Sequence, residues 1–443
     1  MLARLFGDRQ AVKSAARNGM WLMLEKLVRM VGGLFVGLAV ARYLAPAQFG
    51  LMNTILSVYG LAAILCSLGL ESVLVRFLVR YPIRTPRLIA TAIQMRAFVA
   101  VLIGVFATGF AAFGWVPIPV PFVLGMSCVL FASSGLTIRQ WFESKVNISI
   151  VVGSELVAFF GMSSLKVLGI YYRLPLSWFV GLALVEALIA LLSYGGAYFK
   201  QFPFYRFSGS AKVARLLWRR SWPLFLSAAA VTIFMRIDQV MIQFFSGNQV
   251  AGIYAAATRI SEIAYFIPVV ILSSVLPGFT KLRRSNYSGY LRKLTLIFSG
   301  VSLMGYGFCV TVFFFSEQIV HALYGAAYLE AADILVVHIW AFIAVGLGTI
   351  GQVFILNDDC ASTALVKECI AVAINIGLNL VLIPSYGGLG AAVATFVSYL
   401  FTGFVGNWFF PKLRPLFWAQ VRGVCLLGIL PVIKSTGIRR FFV

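Results

Sequence analysis

The sequence predicts an all-α integral membrane protein with about 12 transmembrane helices in two six-helix bundles. Its composition is the first observation: 61% of the 443 residues are hydrophobic and 11% are charged, with a mean hydropathy of +0.95. Apolar stretches of about 20 residues, enough to cross a bilayer as a helix, recur along nearly the whole chain. Lys and Arg also concentrate in every second link between these stretches. A β-barrel would instead show alternating segments of ~10 residues.

The apolar runs define the individual spans, and Pro and Gly mark many of the links between them, among them Pro46, Gly247 and Pro384. The predicted helices cover residues 18–44, 49–76, 88–113, 119–139, 149–170, 176–199, 222–245, 252–276, 293–315, 331–356, 365–383 and 388–410.

Basic residues orient these spans in the membrane. The termini and the links on one side contain 28 of the 36 Lys and Arg residues, whereas the opposite links contain Arg42 and Arg173. The positive-inside rule therefore predicts that both termini are cytoplasmic and that the number of spans is even. The net charge of +22 fits this topology, so we expect no nucleic-acid partner.

The sequence contains no pattern typical of an enzyme or a metalloprotein. Its six cysteines lack CxxC spacing and are interpreted as small apolar residues, and His321 and His338 lack metal-ligand spacing. It has no Walker loop and no GxSxG motif. We expect neither catalysis nor a cofactor, and coupling to protons or to sodium stays open.

A weak internal repeat suggests two parallel halves. Phe49-Gly50-Leu51-Met52 aligns with Ala251-Gly252-Ile253-Tyr254 at an offset of 202 residues. This offset places the first predicted helix on the seventh, as in transporters that rock two bundles about a central site. The predicted organisation is an N-terminal bundle (1–199), a basic cytoplasmic linker (200–221), a C-terminal bundle (222–410) and a cytoplasmic or interfacial tail (411–443).

Charged residues inside the first-half spans are candidate site residues, because such charges are costly and usually face the bundle interior. Arg29 and Arg96 are predicted to lie roughly 12 to 16 Å from the inner helix ends, near the midplane. Their nearest acidic candidates, Glu25 and Glu71, lie closer to the cytoplasm. The sequence thus predicts an under-compensated cationic site, which would attract a phosphate.

The span from Ser221 to Phe245 contains two charges of opposite sign. Asp238 and Arg259 are both predicted to lie ~10 Å from the outer ends of their helices, and Arg236 and Glu262 both ~14 Å from them. These equal depths predict crossed pairs between the seventh and eighth helices. The pairs could simply neutralise one another, or they could line the transport path. Asp238, Glu262 and Glu25 are the candidate coupling or charge-pairing residues.

Two further acids, Glu155 and Glu186, lie within predicted first-half helices. They could carry coupling protons, make interhelical hydrogen bonds or simply lie near a helix end.

Several segments resemble one family of transporters. They include "GLFVGLAVARYLAPAQFGLMNTILSVYG", "SWPLFLSAAAVTIFMRIDQVMI", "AGIYAAATRISEIAYFIPVVILSSVLPGFTKL" and "ALYGAAYLEAADIL". The block from "MRIDQVM" to "SSVLP" is the most specific, and the resemblance covers about residues 10–415. These segments resemble the bacterial polysaccharide transporter family. It is the O-antigen and exopolysaccharide flippase branch of the multidrug, oligosaccharidyl-lipid and polysaccharide exporter superfamily.

The resemblance implies a V-shaped pair of six-helix halves in the bacterial cytoplasmic membrane. They would move an undecaprenyl-pyrophosphate-linked oligosaccharide from the inner to the outer leaflet by alternating access. It also implies contact with membrane lipids, and a polysaccharide polymerase and chain-length proteins as candidate partners. A cation-rich cavity is implied as well, for which Arg29, Arg96, Arg236 and Arg259 are the candidates.

On this hypothesis Arg29 and Arg96 hold the pyrophosphate, and an ion or proton near Asp238 and Glu262 resets the halves. The alternatives are a cation-coupled multidrug exporter of the same superfamily and a membrane enzyme of polysaccharide assembly.

Overall fold

A computed structural model describes residues 9–115, 118–145, 149–202 and 208–428, without the side chains of residues 9–27, 149, 150 and 277. The described residues form helices and connecting turns, with no strand among them. Contacts between Cα atoms divide the chain into two compact units, Met1–Thr232 and Ile233–Val443, called here the N unit and the C unit.

The N unit consists of seven helices and the first part of an eighth within the ranges described. These are α1 (Arg9–Ser67), α2 (Leu70–Arg80), α3 (Thr85–Ala112), α4 (Val120–Ser134), α5 (Arg139–Ser144), α6 (Ser149–Tyr171), α7 (Leu176–Gln201) and the start of α8 (Ala211–Ala264). A 3₁₀ turn, Gly135–Ile138, joins α4 to α5. The apolar face of α2, including Leu74, packs on Trp141, Tyr194 and Tyr198 in the core of this unit.

The C unit continues from the rest of α8. Its further helices are α9 (Phe266–Ser285), α10 (Tyr287–Tyr324), α11 (Ala331–His338), α12 (Ala341–Asn357), α13 (Ala361–Leu400), α14 (Gly406–Phe409) and α15 (Arg414–Val424). A π-helical turn, Phe401–Val405, separates α13 from α14. The core contains Phe298, Phe342 and Phe354, each almost fully buried.

Three long helices are broken where the sequence predicts links. The backbone leaves the helical region at Ala45 in α1 (φ 55°, ψ 171°), at Gly247 in α8 (φ 82°, ψ 179°) and at Gly387 in α13 (φ 54°, ψ −129°). The first two breaks have nearly the same conformation and lie 202 residues apart, which is the offset of the sequence repeat. The weak repeat therefore corresponds to a repeated structural feature.

The predicted all-α membrane fold is confirmed. The described part of the chain contains nine helical segments that are long and apolar enough to cross a membrane. Three of them, Val28–Arg80, Ala211–Leu276 and Ala361–Phe409, contain the breaks, and each covers two predicted spans. The six remaining segments correspond to one predicted span each, so every predicted span has a helical counterpart.

The end of the described chain is built into the C unit. Where the sequence suggests a cytoplasmic or interfacial tail from residue 411, Leu413, Leu416 and Ala419 are buried in the same core as Phe298. The buried Gln420 side chain donates to the backbone oxygens of Leu347 (3.1 Å) and Gly403 (2.8 Å). Gly403 lies in the π-helical turn, so Gln420 supplies a hydrogen-bond donor to a backbone carbonyl of that turn.

A buried polar chain continues from Gln420. Its Oε1 accepts from Asn407 Nδ2 at 2.8 Å, and Asn407 Oδ1 accepts from Lys367 Nζ at 2.6 Å. Lys367 is only 4% exposed, so its ammonium group is held by a neutral amide within the helix bundle. These contacts connect α13, α14 and α15, and they make residues up to Val424 an integral part of the unit.

Candidate functional site

The N unit contains a cluster of charged side chains from four helices. Its members, called here the N cluster, are Arg29, Arg139, Glu143, Glu155 and Glu186. Helix α1 contacts both α6 and α7, which brings Arg29 to the acids of those helices. The helix packing therefore assembles residues that lie far apart in the sequence.

Glu155 is the acid of the cluster that contacts both Arg29 and Arg139. Its Oε1 lies 3.1 Å from Arg139 Nε and accepts from the Tyr194 hydroxyl at 2.7 Å, while its Oε2 lies 3.9 Å from Arg29 Nη1. The Glu155 side chain is 14% exposed, less than the 37% of Arg29. A carboxylate at this level of burial is stabilised by the two guanidinium groups and the hydroxyl.

The prediction that Arg29 is under-compensated is wrong. Arg29 Nη2 also donates to Glu186 Oε1 at 3.4 Å, so two carboxylates contact this guanidinium. The prediction considered acids close to Arg29 along the chain, whereas Glu155 and Glu186 lie 126 and 157 residues away from it. Glu155 and Glu186 thus make interhelical contacts, and a role in carrying coupling protons stays a prediction.

Arg96 has the environment expected of an anion-binding residue. Its Nη1 donates to the neutral hydroxyl of Thr137 at 3.2 Å, and its Nε is buried with no hydrogen-bond partner among the described residues. Glu71 acts on it electrostatically without forming one of the ion pairs seen in the N cluster. The phenol of Tyr59 interacts electrostatically with both Arg96 and Glu186.

The C unit holds a second polar site, in which the buried Asp238 carboxylate is surrounded by neutral groups. Asn379 Nδ2 donates to Oδ1 at 2.6 Å, and the Tyr254 hydroxyl donates to Oδ2 at 3.1 Å. The Thr395 hydroxyl also donates to Oδ2, and Asn375 completes the group through its contact with Asn379 (3.2 Å). We call these five residues the Asp238 cage.

Two broken helices build this cage. Asp238 and Tyr254 lie on either side of the α8 break, and Asn379 and Thr395 on either side of the α13 break. Members of each pair are 16 residues apart. The breaks themselves are neighbours: a Cβ at Gly387 would lie 3.4 Å from Val250 Cγ1, and Gly387 itself has a positive φ. Discontinuous helices of this kind expose polar groups inside a bundle.

The predicted pairing of Asp238 with Arg259 is wrong, because the hydrogen bonds to the Asp238 carboxylate come from neutral donors. Arg236 and Arg259 instead both act electrostatically on Glu262, so the proximity of Arg236 to Glu262 agrees with the depth argument. Asp238 is buried whereas Arg236 is exposed, as expected for side chains two positions apart on a helix.

Other predicted and missed residues can be placed as well. The Glu25 side chain lies outside the described residues. Sequence reasoning missed Arg139, Thr137 and the cage residues other than Asp238. A usable signal existed for Asn375 and Asn379: two amides four residues apart in an apolar span share one helix face. No group of three or more His, Cys, Asp or Glu residues within the described ranges could hold a metal ion.

Residues 15–283 match a family described as polysaccharide biosynthesis protein. The chain is also 26% identical over 170 residues to the probable flippase AglR of Haloferax volcanii. That match covers 37% of this chain and 35% of the relative, so the chain matches about a third of the relative's length.

Two solved structures show the same fold. The lipid II flippase MurJ in an inward closed conformation has a TM-score of 0.68 at 15% identity, over 94% of this chain and 92% of that one. An inward-facing multidrug resistance MATE family transporter of the MOP superfamily has a TM-score of 0.62 at 12% identity, over 92% and 98%.

The contacts of Glu155 lead to a stability prediction. We expect Glu155→Gln to lower the free energy of unfolding by about 1 to 3 kcal/mol, because it leaves guanidinium groups and a tyrosine hydroxyl without their carboxylate. Thermal unfolding in detergent measures the change. Glu186→Gln is the control, since Glu186 is 39% exposed and pairs with Arg29 at 3.4 Å. Equal destabilisation by both variants would contradict the central role of Glu155.

Proposed function

Because the chain belongs to the polysaccharide biosynthesis protein family, we propose that it translocates an undecaprenyl-pyrophosphate-linked oligosaccharide across the cytoplasmic membrane. The substrate would move from the inner to the outer leaflet by alternating access, in which the substrate site opens first to one side of the membrane and then to the other. A bacterial inner membrane, with both termini cytoplasmic, and a partner polymerase with chain-length proteins belong to the same proposal.

Arg96 is the observation that supports this substrate most strongly. It is a guanidinium in a membrane-capable helix with a neutral hydrogen-bond partner and a buried Nε that has no partner among the described residues. A pyrophosphate would supply oxygen acceptors and negative charge at that position, and the planar guanidinium suits bidentate binding of phosphate. The revised role of Arg29 is to pair with Glu155 and Glu186 of α6 and α7, with less direct contact to the anion.

The names of similar proteins agree with lipid-linked transport. AglR is named a flippase, and MurJ is titled a lipid II flippase. Both are transporters, and neither name describes an enzyme. This agreement favours transport over the alternative of a membrane enzyme of polysaccharide assembly.

We propose further that the Asp238 cage carries the coupling cation, a proton or sodium. Asp238 is 5% exposed, and its hydrogen bonds come from neutral donors. Asn379 Oδ1 is buried with no hydrogen-bond partner among the described residues, so the cage has a further oxygen available. Carboxylate, amide and hydroxyl oxygens are ligands suited to hard cations, and a proton would neutralise the same carboxylate.

The second candidate function is cation-coupled drug export, which the MATE-like fold and the buried Asp238 favour. A cationic drug would be repelled by Arg96, whose hydrogen-bond partner among the described residues is the neutral Thr137 hydroxyl, whereas a pyrophosphate would be attracted. The charge of the ligand that binds near Arg96 therefore separates the two functions.

For ligand binding, we expect Arg96→Gln to weaken the affinity of the purified protein for undecaprenyl pyrophosphate by roughly 10- to 100-fold. Isothermal titration calorimetry in detergent measures this change. Arg87→Gln is the matched control, because Arg87 lies on the same helix and is exposed. Unchanged affinity in Arg96→Gln would refute the assignment, and tighter binding of a lipophilic cation would favour drug export.

For coupling, we expect Asp238→Asn to abolish the dependence of transport on an imposed cation gradient, because the amide neither binds a proton nor carries a charge. Proteoliposomes with a sodium gradient at constant pH, and with a pH gradient without sodium, identify the ion. Asp333→Asn is the control, since Asp333 is an exposed acid of the same unit. Gradient dependence that survives in Asp238→Asn would remove the cage from the mechanism.

A further inference from the structure

The N unit contains a basic pocket that the proposed transport site does not use. Its volume is about 550 Å³, and it lies between α2 and the first turns of α8. Three arginines and several apolar side chains line it, among them Arg76, Arg80, Arg220, Phe77, Leu216 and Leu224. The arginines are exposed, and no Asp or Glu of the described residues lines the pocket.

The spacing of the lining residues shows that each helix contributes one face. On α2, Arg76 and Arg80 are four residues apart, and on α8 Leu216, Arg220 and Leu224 follow at intervals of four. Residues at this spacing lie above one another on a helix surface. The pocket is therefore formed mainly by two facing helix surfaces, with Tyr81 just beyond the end of α2.

A close backbone contact fixes one end of the pocket. Gly69, between α1 and α2, has a φ of +63°, and a Cβ there would lie 2.6 Å from Phe225 N and 2.9 Å from Ser221 O. Only glycine allows the start of α2 to approach α8 so closely. From this contact the lining residues extend along α2 as far as Tyr81 and, on α8, towards its N-terminus as far as Leu216.

The electrostatics of the pocket favour an anion. Glu71, the acid of α2, interacts with Arg96 and Glu143 and is absent from the lining. The three guanidinium groups thus line the pocket with no carboxylate of the described residues among them, and the Arg80 guanidinium carbon lies 5.5 Å from the centre of the Tyr81 ring. Phosphate groups are the anions that arginine clusters bind best.

The location of the pocket favours a lipid over a soluble anion. Arg80 is the last residue of the first membrane-capable segment, and Leu216 lies near the start of the Ala211–Leu276 segment. The ends of these segments therefore predict that the pocket lies at the membrane boundary, on the side predicted to be cytoplasmic. Exposed apolar side chains line it, including Leu216 (44% exposed) and Leu224 (41%), and these would contact acyl or prenyl chains.

We propose that this pocket binds the phosphate headgroup of a membrane lipid, with the lipid chain against the adjoining apolar surface. The shared chemistry is a lipid-linked phosphate, which could come from an anionic phospholipid or from a prenyl pyrophosphate carrier. The site goes beyond the proposed function and would stand if another substrate were transported. Only the prenyl pyrophosphate source depends on that function.

Native mass spectrometry of the purified full-length protein tests the site. The probes are phosphatidylglycerol, undecaprenyl pyrophosphate and zwitterionic phosphatidylcholine. The test variant combines Arg76→Gln, Arg80→Gln and Arg220→Gln. The control variant combines Arg87→Gln, Arg215→Gln and Arg219→Gln, which removes the same charge from exposed positions outside the lining.

We expect the test variant to bind the anionic probe roughly 100-fold more weakly than wild type, about fivefold for each arginine, with little change in the control. Loss confined to phosphatidylglycerol identifies a phospholipid site, and loss confined to undecaprenyl pyrophosphate identifies a docking site for the carrier. Equal weakening in both variants, or no weakening in either, would overturn the proposal. Because binding is measured without transport, failure here leaves the Arg96 assignment intact.

Discussion

The cost of placing charge inside a membrane is the constraint that organises this protein. Each ionised side chain in a span must find its partners within the protein, because lipid offers none. The N unit meets this requirement with ion pairs that converge on Glu155, and the C unit with neutral donors around Asp238. The two arrangements have different consequences. The first leaves Arg96 as the cation with a neutral hydrogen-bond partner, and the second leaves a carboxylate whose hydrogen bonds contribute no positive charge.

Broken helices allow the C unit to build such a site. The breaks at Gly247 and Gly387 let α8 and α13 each contribute residues from both of their segments to one cage. The break at Ala45 has nearly the same backbone conformation as the break at Gly247. The polar contacts described for the N unit, however, are centred on Glu155 and Arg96. The same backbone feature thus occurs in both units, while the polar residues beside it differ. This difference is consistent with anion binding in one unit and cation coupling in the other.

The spans and their breaks could be predicted from the sequence because hydropathy and Pro or Gly are local signals. The partners of the buried charges could not, because they depend on which helices become neighbours. Arg29 illustrates the point: its depth was a sound reason to expect an interior position, yet its acids lie on α6 and α7. Asp238 was singled out correctly as a buried charge, but depth alone nominated Arg259, whereas the donors are Asn379, Tyr254 and Thr395. The role of α15 in the core was missed because its sequence is too short and too polar to read as a span.

The most direct test of the central claim is the leaflet distribution of a lipid-linked oligosaccharide in vesicles that contain only the purified protein. A fluorescent undecaprenyl-pyrophosphate oligosaccharide, incorporated in both leaflets, is exposed to a membrane-impermeant quencher. Without protein, about half of the signal is expected to be accessible, since a polar headgroup does not cross the bilayer unaided. The proposed function predicts that nearly all of the signal becomes accessible once the protein is present. A distribution that stays near one half in the presence of folded protein, with a cation gradient imposed, would contradict it.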